Sequence, residues 1–286
     1  MLCGMVILIT NVLVTLFIPE RTPSKQEQIE LDQLSIKSTY VDILRVMRIP
    51  NVFKLVAILL TCRIAFSCVD SVTSLKLNEK GFPKETAGLL VFFYVPFDLM
   101  FPFLIAYINS YLQWTKMQLW QNGFRLRIVA SLMVISLVAT FEVDENGNVP
   151  FAFISKNILI AILYSFTSSL MFTSQCGFFA KIADEAIGGT YLTLLNTVSN
   201  LGNTWPKYFV LRSIDWFTLK HEIPCIEDKP DGSPCFEIDR DGYYSVAGAS
   251  LVFGVIWILY VVRTLNTFDH IPKGLWTVSR SKIDID

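Results

Sequence analysis

The sequence of 286 residues carries little charge for its length. Asp, Glu, Lys and Arg make up 17% of the chain, against about 25% in an average soluble domain. The formal net charge is −1, so no excess of positive charge indicates a nucleic-acid partner. This composition argues against a water-soluble globular protein and predicts no binding to DNA or RNA.

Residues that carry catalysis are also scarce. The two histidines, His221 and His270, lie in polar segments that we predict on opposite sides of a membrane. They therefore predict neither a histidine metal site nor a histidine-activated nucleophile. The sequence also lacks G-x-x-x-x-G-K-[ST], the phosphate-binding loop of many nucleotide hydrolases. We expect no enzymatic activity, no metal and no cofactor.

Apolar residues, in contrast, are abundant and come in long blocks. Hydrophobic residues make up 52% of the chain, and 22 residues are phenylalanine. A helix of about 20 apolar residues is long enough to cross a bilayer. Seven blocks come close to or exceed this length, at roughly residues 2–18, 51–77, 86–110, 124–141, 151–176, 188–214 and 243–262. We therefore predict an all-α membrane protein.

The blocks predict four regions along the chain. Residues 1–18 form a transmembrane helix, 19–50 a cytosolic linker, 51–262 a unit of six transmembrane helices, and 263–286 a cytosolic tail. The first block has no basic segment before it and no small-residue cleavage site after it. These absences favour a membrane span over a signal peptide.

The positive residues of the predicted loops indicate an orientation. More Lys and Arg residues fall on the side of the 19–50 linker, where Arg125 and Arg127 are counted with the loops. Positive loops favour the cytosol, so we expect a lumenal amino end and a cytosolic carboxyl end. The same orientation puts Cys225 and Cys235 on the non-cytosolic side, where an oxidising lumen permits a disulfide between them.

One predicted helix carries a polar stripe through an apolar block. At 100° per residue, five side chains within residues 188–214 fall within about 60° of one line along the helix. They are Thr193, Asn196, Asn200, Asn203 and Lys207. Amides and a cation are costly in lipid unless they face other helices or water. The stripe therefore predicts a polar pathway through the membrane.

A second stripe lies in the block 51–77. Arg63, Ser67, Asp70 and Ser74 fall within about 40° of one another on a helix. Arg63 and Asp70 are separated by about 10 Å along the axis, so their side chains can meet only through water or a hydroxyl. The cation fits two interpretations: it contacts a substrate, or it forms a structural ion pair that holds helices in register.

Three further charged residues lie within or near the blocks. Asp98, between Pro96 and Pro102, fits a proton or ion site, but hydrogen bonding to a kinked backbone is the favoured interpretation. Lys76 and Lys156 lie close to the ends of their blocks, where long side chains reach the interface. Lys156 is also a candidate for contact with a substrate.

Three stretches resemble a known family. The residues DEAIGGTYLTLLNTVSNLGNTWP (184–206), CVDSVTSLKLNEKGFPKE (68–85) and DGYY (241–244) are similar to the acetyl-coenzyme A transporter family of the endoplasmic reticulum. The first stretch is long and specific, whereas DGYY alone is weak. The resemblance implies a major-facilitator-like fold of two six-helix halves, of which this chain has the carboxy-terminal half and one preceding helix. Five expected spans do not occur at the amino end, so we expect a fragment, an alternative product or a late start.

The resemblance also implies a function. Such a multi-pass carrier moves acetyl-CoA from the cytosol to the lumen, and its substrate cavity lies between two halves. One half alone is not expected to transport, so the expected partners are the lipid bilayer and either the missing amino-terminal half or a second copy of the chain.

The chemistry of acetyl-CoA connects the two stripes to this function. Its phosphates need cations and many hydrogen-bond donors to replace water. The predicted binding residues are Arg63, Asp70, Lys156, Thr193, Asn196, Asn200, Asn203 and Lys207, with Tyr191 or Trp205 stacking on adenine.

Other functions fit the same pattern. Helical spacing does not identify a cargo, so a related permease for another anionic or sugar-peptide solute has the same stripes. A short product that does not transport is a second alternative. A membrane-embedded acyltransferase would ordinarily use an intramembrane histidine, and none is predicted.

Overall fold

The computed structural model describes residues 2–17, 36–144, 149–184, 187–223 and 235–277. The chain divides into two compact units, Met1–Leu44 and Arg45–Asp286. In the first unit, helix α1 is an apolar helix of 16 residues, Leu2–Phe17. Helix α2, Ile36–Met47, contains the boundary between the units.

The second unit is almost entirely helical in its described part. Its long helices are α3 Pro50–Thr61, α4 Ser67–Glu79, α5 Lys84–Leu112, α6 Lys116–Ala139, α7 Phe151–Ile182, α8 Gly188–Phe217 and α9 Gly242–Phe268. A 3-10 turn, Cys62–Ala65, joins α3 to α4, and a second one, Lys273–Leu275, follows α9. Strands β1 (Leu219–Ile223) and β2 (Cys235–Arg240) form an antiparallel hairpin between α8 and α9.

Five helical segments of the described chain are long and apolar enough to cross a membrane. They are the continuous path Pro50–Glu79, which contains α3 and α4, and the helices α5, α6, α7 and α9. This finding confirms an all-α, multi-pass membrane protein. Helix α8 has the length of a span, with 30 residues, but it does not reach the hydropathy of the five because polar residues interrupt it.

Helix α6 begins earlier than the sequence predicts. Its first residue is Lys116 rather than a residue near 124, and the cause is local: the Thr115 hydroxyl accepts a hydrogen bond from the Gln118 backbone N–H, and the Gln118 side chain accepts one from Thr115 N–H. This capping box fixes the first turn. Counting Arg125 and Arg127 with the loops was therefore wrong, because both lie within the helix.

Two glycines let helix backbones approach closely. A Cβ atom on Gly202 of α8 would lie 2.2 Å from the carbonyl oxygen of Leu59 in α3. A Cβ atom on Gly254 of α9 would lie 2.6 Å from the Cβ atom of Ala65. Small residues at helix crossings permit this close packing in membranes. Helices α8 and α9 are thus held against the α3–α4 path.

The segment after α9 folds back onto the helix ends. The Trp276 side chain is fully buried, with its ring 5.6 Å from that of Phe178 and 5.2 Å from that of Phe268. Its carbonyl oxygen accepts a hydrogen bond of 3.0 Å from the Tyr191 hydroxyl. The Asn51 amide donates to the Leu275 carbonyl oxygen at 3.2 Å. This segment therefore ties α3, α7, α8 and α9 together.

Candidate functional site

A cavity of about 980 Å³ lies among α4, α5, α6, α7 and α8. Its volume is at the upper end of the range of roughly 300–1,000 Å³ for small-molecule sites. The wall contains cations, carboxylates, amides and hydroxyls, although four of its five helices, α4 to α7, belong to segments long and apolar enough to cross a membrane. Polar groups within membrane-spanning helices normally face such a cavity and indicate a functional site.

Six of the predicted binding residues line this cavity: Arg63, Asp70, Asn196, Asn200, Asn203 and Lys207. The other two lie elsewhere. Thr193 is exposed, and its hydroxyl donates to the Gly189 carbonyl oxygen at 2.8 Å. Lys156 lines a separate, smaller pocket together with Glu142 and Asp144. The structure thus brings the two stripes together and leaves Thr193 and Lys156 outside their shared cavity.

An ion pair connects three of the lining helices. Arg127 of α6 is buried, and one Nη atom lies 2.8 Å from Oδ1 and 3.1 Å from Oδ2 of Asp70 in α4. Its other Nη atom donates to the Ser168 hydroxyl of α7 at 2.9 Å. The Tyr164 hydroxyl, also on α7, donates to Asp70 and accepts from Arg127. Asp70 therefore pairs with Arg127, and among the described residues Arg63 forms no structural ion pair, which was one of the two interpretations of that cation.

Aromatic rings complete the surroundings of this arginine. The guanidinium carbon of Arg127 lies 4.9 Å from the ring centroid of Phe66 and 4.8 Å from that of Tyr164. Contacts of this kind stabilise a desolvated cation. Arg127 was not predicted as a site residue because the apolar block was predicted to begin near residue 124. An arginine this close to the start of the block was counted with the loop that precedes it. The usable signal was helical spacing, since Trp120, Phe124 and Arg127 recur on one face.

The cations Arg63 and Lys207 differ from Arg127 in having no partner in the described part of the chain. Neither side chain makes a hydrogen bond or an ion pair there, and both are half-buried on the cavity wall. The side-chain amides of Asn196, Asn200 and Asn203 are likewise free of hydrogen bonds to described residues. Polar groups of this kind, in apolar helices, are costly unless water or a ligand binds them. This part of the wall is therefore available to a ligand.

Charge counting on the wall favours an anion. Its basic side chains are Arg63, Arg127 and Lys207, and its acidic side chains are Asp70 and Asp98. Asp98 accepts a hydrogen bond from the Ser165 hydroxyl of α7. The expectation that Asp98 bonds to its own kinked backbone is wrong, because this partner lies on another helix. With Asp70 occupied by Arg127, the unpaired charge on the wall is positive.

Lys76 lies outside the cavity wall and is buried rather than directed to the interface. Its Nζ atom lies 2.5 Å from Oδ2 of Asp241 and 2.9 Å from Oε2 of Glu79. Asp241 also accepts a hydrogen bond from the Tyr243 backbone N–H at the start of α9. The expectation that Lys76 reaches the interface is therefore wrong. The DGYY stretch that begins at Asp241 has a structural role, which is to attach α9 to the end of α4.

The two aromatic residues expected to stack on adenine do not line the cavity. Tyr191 is buried in the core beside Trp276. The Trp205 indole N–H donates to the Leu60 carbonyl oxygen at 3.0 Å and lines a different groove. Both expectations are wrong. The rings on the cavity wall are those of Phe82, Tyr94, Tyr164 and Phe172.

Among the residues that the structure describes, no cysteine lines this cavity. Cys62, Cys68 and Cys176 are free thiols. Cys225 lies outside the described residues, so its disulfide with Cys235 stays a prediction. Among the residues that the structure describes, no group of three or more His, Cys, Asp and Glu side chains could hold a metal ion.

Comparisons with known proteins identify relatives over most of the chain. The family described as "Acetyl-coenzyme A transporter 1" matches residues 8–119 and 111–278. An uncharacterized membrane protein of Saccharomyces cerevisiae is 27% identical over 281 residues, which cover 85% of this chain and 50% of that protein. An uncharacterized protein of Schizosaccharomyces pombe is 28% identical over 262 residues, which cover 87% of this chain and 49% of that protein. The chain thus spans about half the length of these curated relatives. No solved structure matches it.

Proposed function

The chain belongs to the acetyl-coenzyme A transporter 1 family, and we propose that it is part of a carrier that moves acetyl-CoA from the cytosol into the lumen of the endoplasmic reticulum. In this proposal residues 51–262 form the carboxy-terminal half of a major-facilitator-like fold. A second half, either an amino-terminal half or another copy of the chain, completes the substrate cavity, as in carriers whose site lies between two repeats. The amino end is lumenal and the carboxyl end cytosolic.

The observation that carries this proposal is a pair of cations on the cavity wall, Arg63 and Lys207, that have no partner among the described residues. Acetyl-CoA bears a pyrophosphate and a ribose phosphate, which lose their hydration on entering a cavity. Arg63 offers a planar guanidinium that bonds phosphate oxygens in pairs, and Lys207 offers a compact charge. The amides of Asn196, Asn200 and Asn203 supply neutral donors on the same wall. Together these groups replace the water that phosphates lose.

The Arg127–Asp70 pair has a positioning role in this proposal. It cross-links α4, α6 and α7, and Arg63 lies in the 3-10 turn that precedes α4. Because Asp70 is neutralised by its own partner, it does not attract Arg63 away from a phosphate. The rings of Tyr94 and Phe172 add apolar surface on the α5 and α7 walls, which suits the adenine or the pantetheine arm of the substrate.

Uptake of labelled acetyl-CoA by reconstituted vesicles tests the function. The vesicles contain the protein with any translated sequence that precedes residue 1. We expect Arg63→Gln and Lys207→Gln each to lower the uptake rate by about tenfold or more, because a hydrogen bond to a charged group contributes about 1.5–3 kcal/mol. Lys156→Gln is the matched control and should leave uptake unchanged, since Lys156 lies outside the cavity.

Competition in the same vesicles identifies the cargo. Excess unlabelled CoA should suppress uptake, whereas nucleotide sugars and peptides should not. Suppression by nucleotide sugars or peptides would instead identify a permease for another solute. Uptake that is insensitive to both Arg63→Gln and Lys207→Gln would refute the proposed role of the cavity.

A further inference from the structure

A second cavity, of about 530 Å³, lies between α8 and α9 on the other side of α8 from the polar cavity. We call it the α8–α9 groove. Its walls are mainly apolar: Phe209, Val210 and Phe217 come from α8, and Val246, Ala249 and Phe253 from α9. Phe209, Phe217 and Phe253 are exposed on the described surface. In a membrane protein such a surface meets lipid or another transmembrane helix.

The length of the groove matches one leaflet of a bilayer. On α8 it extends from Trp205 to Phe217, a distance of about 18 Å at 1.5 Å of rise per residue. Half of the hydrocarbon core is about 15 Å thick. A transmembrane helix from another chain would need a groove of about twice this length. The dimensions therefore favour a single acyl chain over a helix.

The outer end of the groove lies where α9, a helix long enough to cross a membrane, begins, so we infer that it is at the level of the lipid headgroups. Arg240 lines this end, and it is the last residue of β2, just before α9 begins. On the same end of α8, the guanidinium carbon of Arg212 lies 5.7 Å from the ring centroid of Trp216, which is exposed. Exposed tryptophan and arginine are typical of the membrane–water interface.

Arg240 makes no side-chain hydrogen bond or ion pair with the residues that the structure describes. A guanidinium at the headgroup level with its donors free is suited to a phosphate or carboxylate. Anionic headgroups attract such residues more strongly than zwitterionic ones. The charge at the outer end therefore complements an anionic lipid.

The inner end of the groove, at Trp205, lies next to the polar cavity. Trp205 is fixed there by its hydrogen bond to the Leu60 carbonyl oxygen. Ile64 and Pro206 line the groove, and their chain neighbours Arg63 and Lys207 line the polar cavity. A molecule in the groove would thus support, from behind, the two chain segments that carry the free cations.

We propose that the α8–α9 groove binds one phospholipid with an anionic headgroup. One acyl chain lies between Phe209 and Phe253 and ends near Trp205, and the headgroup phosphate accepts hydrogen bonds from Arg240. The site lies in the leaflet at the end of the molecule where α8 ends and α9 begins. It depends on the membrane setting and not on acetyl-CoA as cargo.

Quenching of Trp205 fluorescence by brominated lipids tests this site. The full chain is reconstituted in phosphatidylcholine vesicles that contain increasing fractions of phosphatidylglycerol or phosphatidylcholine with brominated acyl chains. The Trp205→Phe variant gives the fluorescence of the other five of the six tryptophans. Subtracting this fluorescence from that of the parent protein gives the signal of Trp205 alone. We expect brominated phosphatidylglycerol to bind the Trp205 site about fivefold more tightly than brominated phosphatidylcholine.

Three variants separate the groove from bulk lipid. Arg240→Gln should remove the preference for phosphatidylglycerol, whereas Arg212→Gln, at the same membrane level but outside the groove, should keep it. Ala249→Phe, which fills the groove, should lower quenching by both lipids.

Equal quenching by the two lipids in the parent protein would overturn the proposal, as would equal effects of Arg240→Gln and Arg212→Gln. Quenching that persists in Ala249→Phe would overturn it too, because bulk lipid would then reach Trp205. None of these measurements depends on the transport of acetyl-CoA, so they test the lipid site separately from the proposed function.

Discussion

Three basic side chains share the polar cavity, but their surroundings give them different roles. Arg127 has 4% of its side-chain surface exposed and bonds to a carboxylate and two hydroxyls. Arg63 and Lys207 are half-buried and bond to none of the described residues. Removing one member of a buried pair leaves an uncompensated charge, which costs more than the pair contributes. We therefore assign Arg127 to structure, and Arg63 and Lys207 to the ligand.

A double-mutant cycle tests the assignment of Arg127. We expect Arg127→Gln to lower the free energy of unfolding by about 1–3 kcal/mol, because Asp70, on the cavity wall, loses its charged hydrogen-bond partner. The double variant Asp70→Asn, Arg127→Gln should lose less than the sum of the two single variants. Unfolding of the detergent-solubilised protein measures all of these values.

The matched control for this cycle is Arg125→Gln. Arg125 is exposed, and within the described part of the chain its side chain hydrogen-bonds only to that of Asn122, at 3.2 Å, so its loss should cost at most about 1 kcal/mol. Additive effects of the Asp70 and Arg127 variants would mean that the two side chains are not coupled, against our interpretation.

At the scale of helices, close crossings place the polar stripe of α8 on the cavity wall. Gly202 brings α8 against the Leu59 carbonyl of α3, and the adjacent Asn203 then lines the cavity. The sequence predicted α8 and its stripe because amides that recur at helical spacing in an apolar block are costly unless they share a face away from lipid. It did not predict the crossing, since a glycine alone does not identify the helix it packs against.

Adding one methyl group at this crossing should disrupt it. For Gly202→Ala we expect a loss of about 1–3 kcal/mol in the free energy of unfolding, typical of overpacking, because the new Cβ would lie 2.2 Å from the Leu59 oxygen. Gly248→Ala in α9 meets nothing within 4 Å and should be neutral or stabilising, because alanine favours helix. Similar unfolding curves for both variants would contradict the proposed crossing.

The segment after α9 offers a second test at this scale. Trp276 is fully buried, whereas Trp216 has 69% of its surface exposed. We expect Trp276→Ala to lower the free energy of unfolding by about 3–5 kcal/mol, as large truncations in cores do, and Trp216→Ala to change it far less. If the two variants unfold alike, the segment does not tie the helix ends together. The sequence predicted only a cytosolic tail here, because a lone tryptophan in a polar segment carries no periodic signal.

At the scale of the whole molecule, the polar cavity lies along α5 and α7, which are the least buried of the five long apolar segments. Their outer surfaces therefore remain for lipid or for further protein. The chain spans about half the length of its curated relatives, which is why we propose a second half on this side.

The sequence could predict which polar side chains of one helix share a face, but not which helices pack against each other. Arg63, Asp70, Asn200 and Lys207 could be assigned to two stripes from helical spacing alone. That both stripes line one cavity depends on tertiary packing. The partner of Asp70 was missed for the same reason, since Arg127 lies 57 residues further along the chain.

The two polar stripes are proposed to face a water-filled cavity, and the accessibility of introduced cysteines measures this directly. Asn200→Cys lies on the cavity wall, whereas Leu201→Cys replaces an exposed residue that does not line it. A charged, membrane-impermeant thiol reagent should modify Asn200→Cys at least about tenfold faster than Leu201→Cys, because thiolate chemistry requires water. Acetyl-CoA should slow the modification of Asn200→Cys. If Asn200→Cys reacts no faster than Leu201→Cys, the stripe does not face a water-filled cavity, and the proposed site is contradicted.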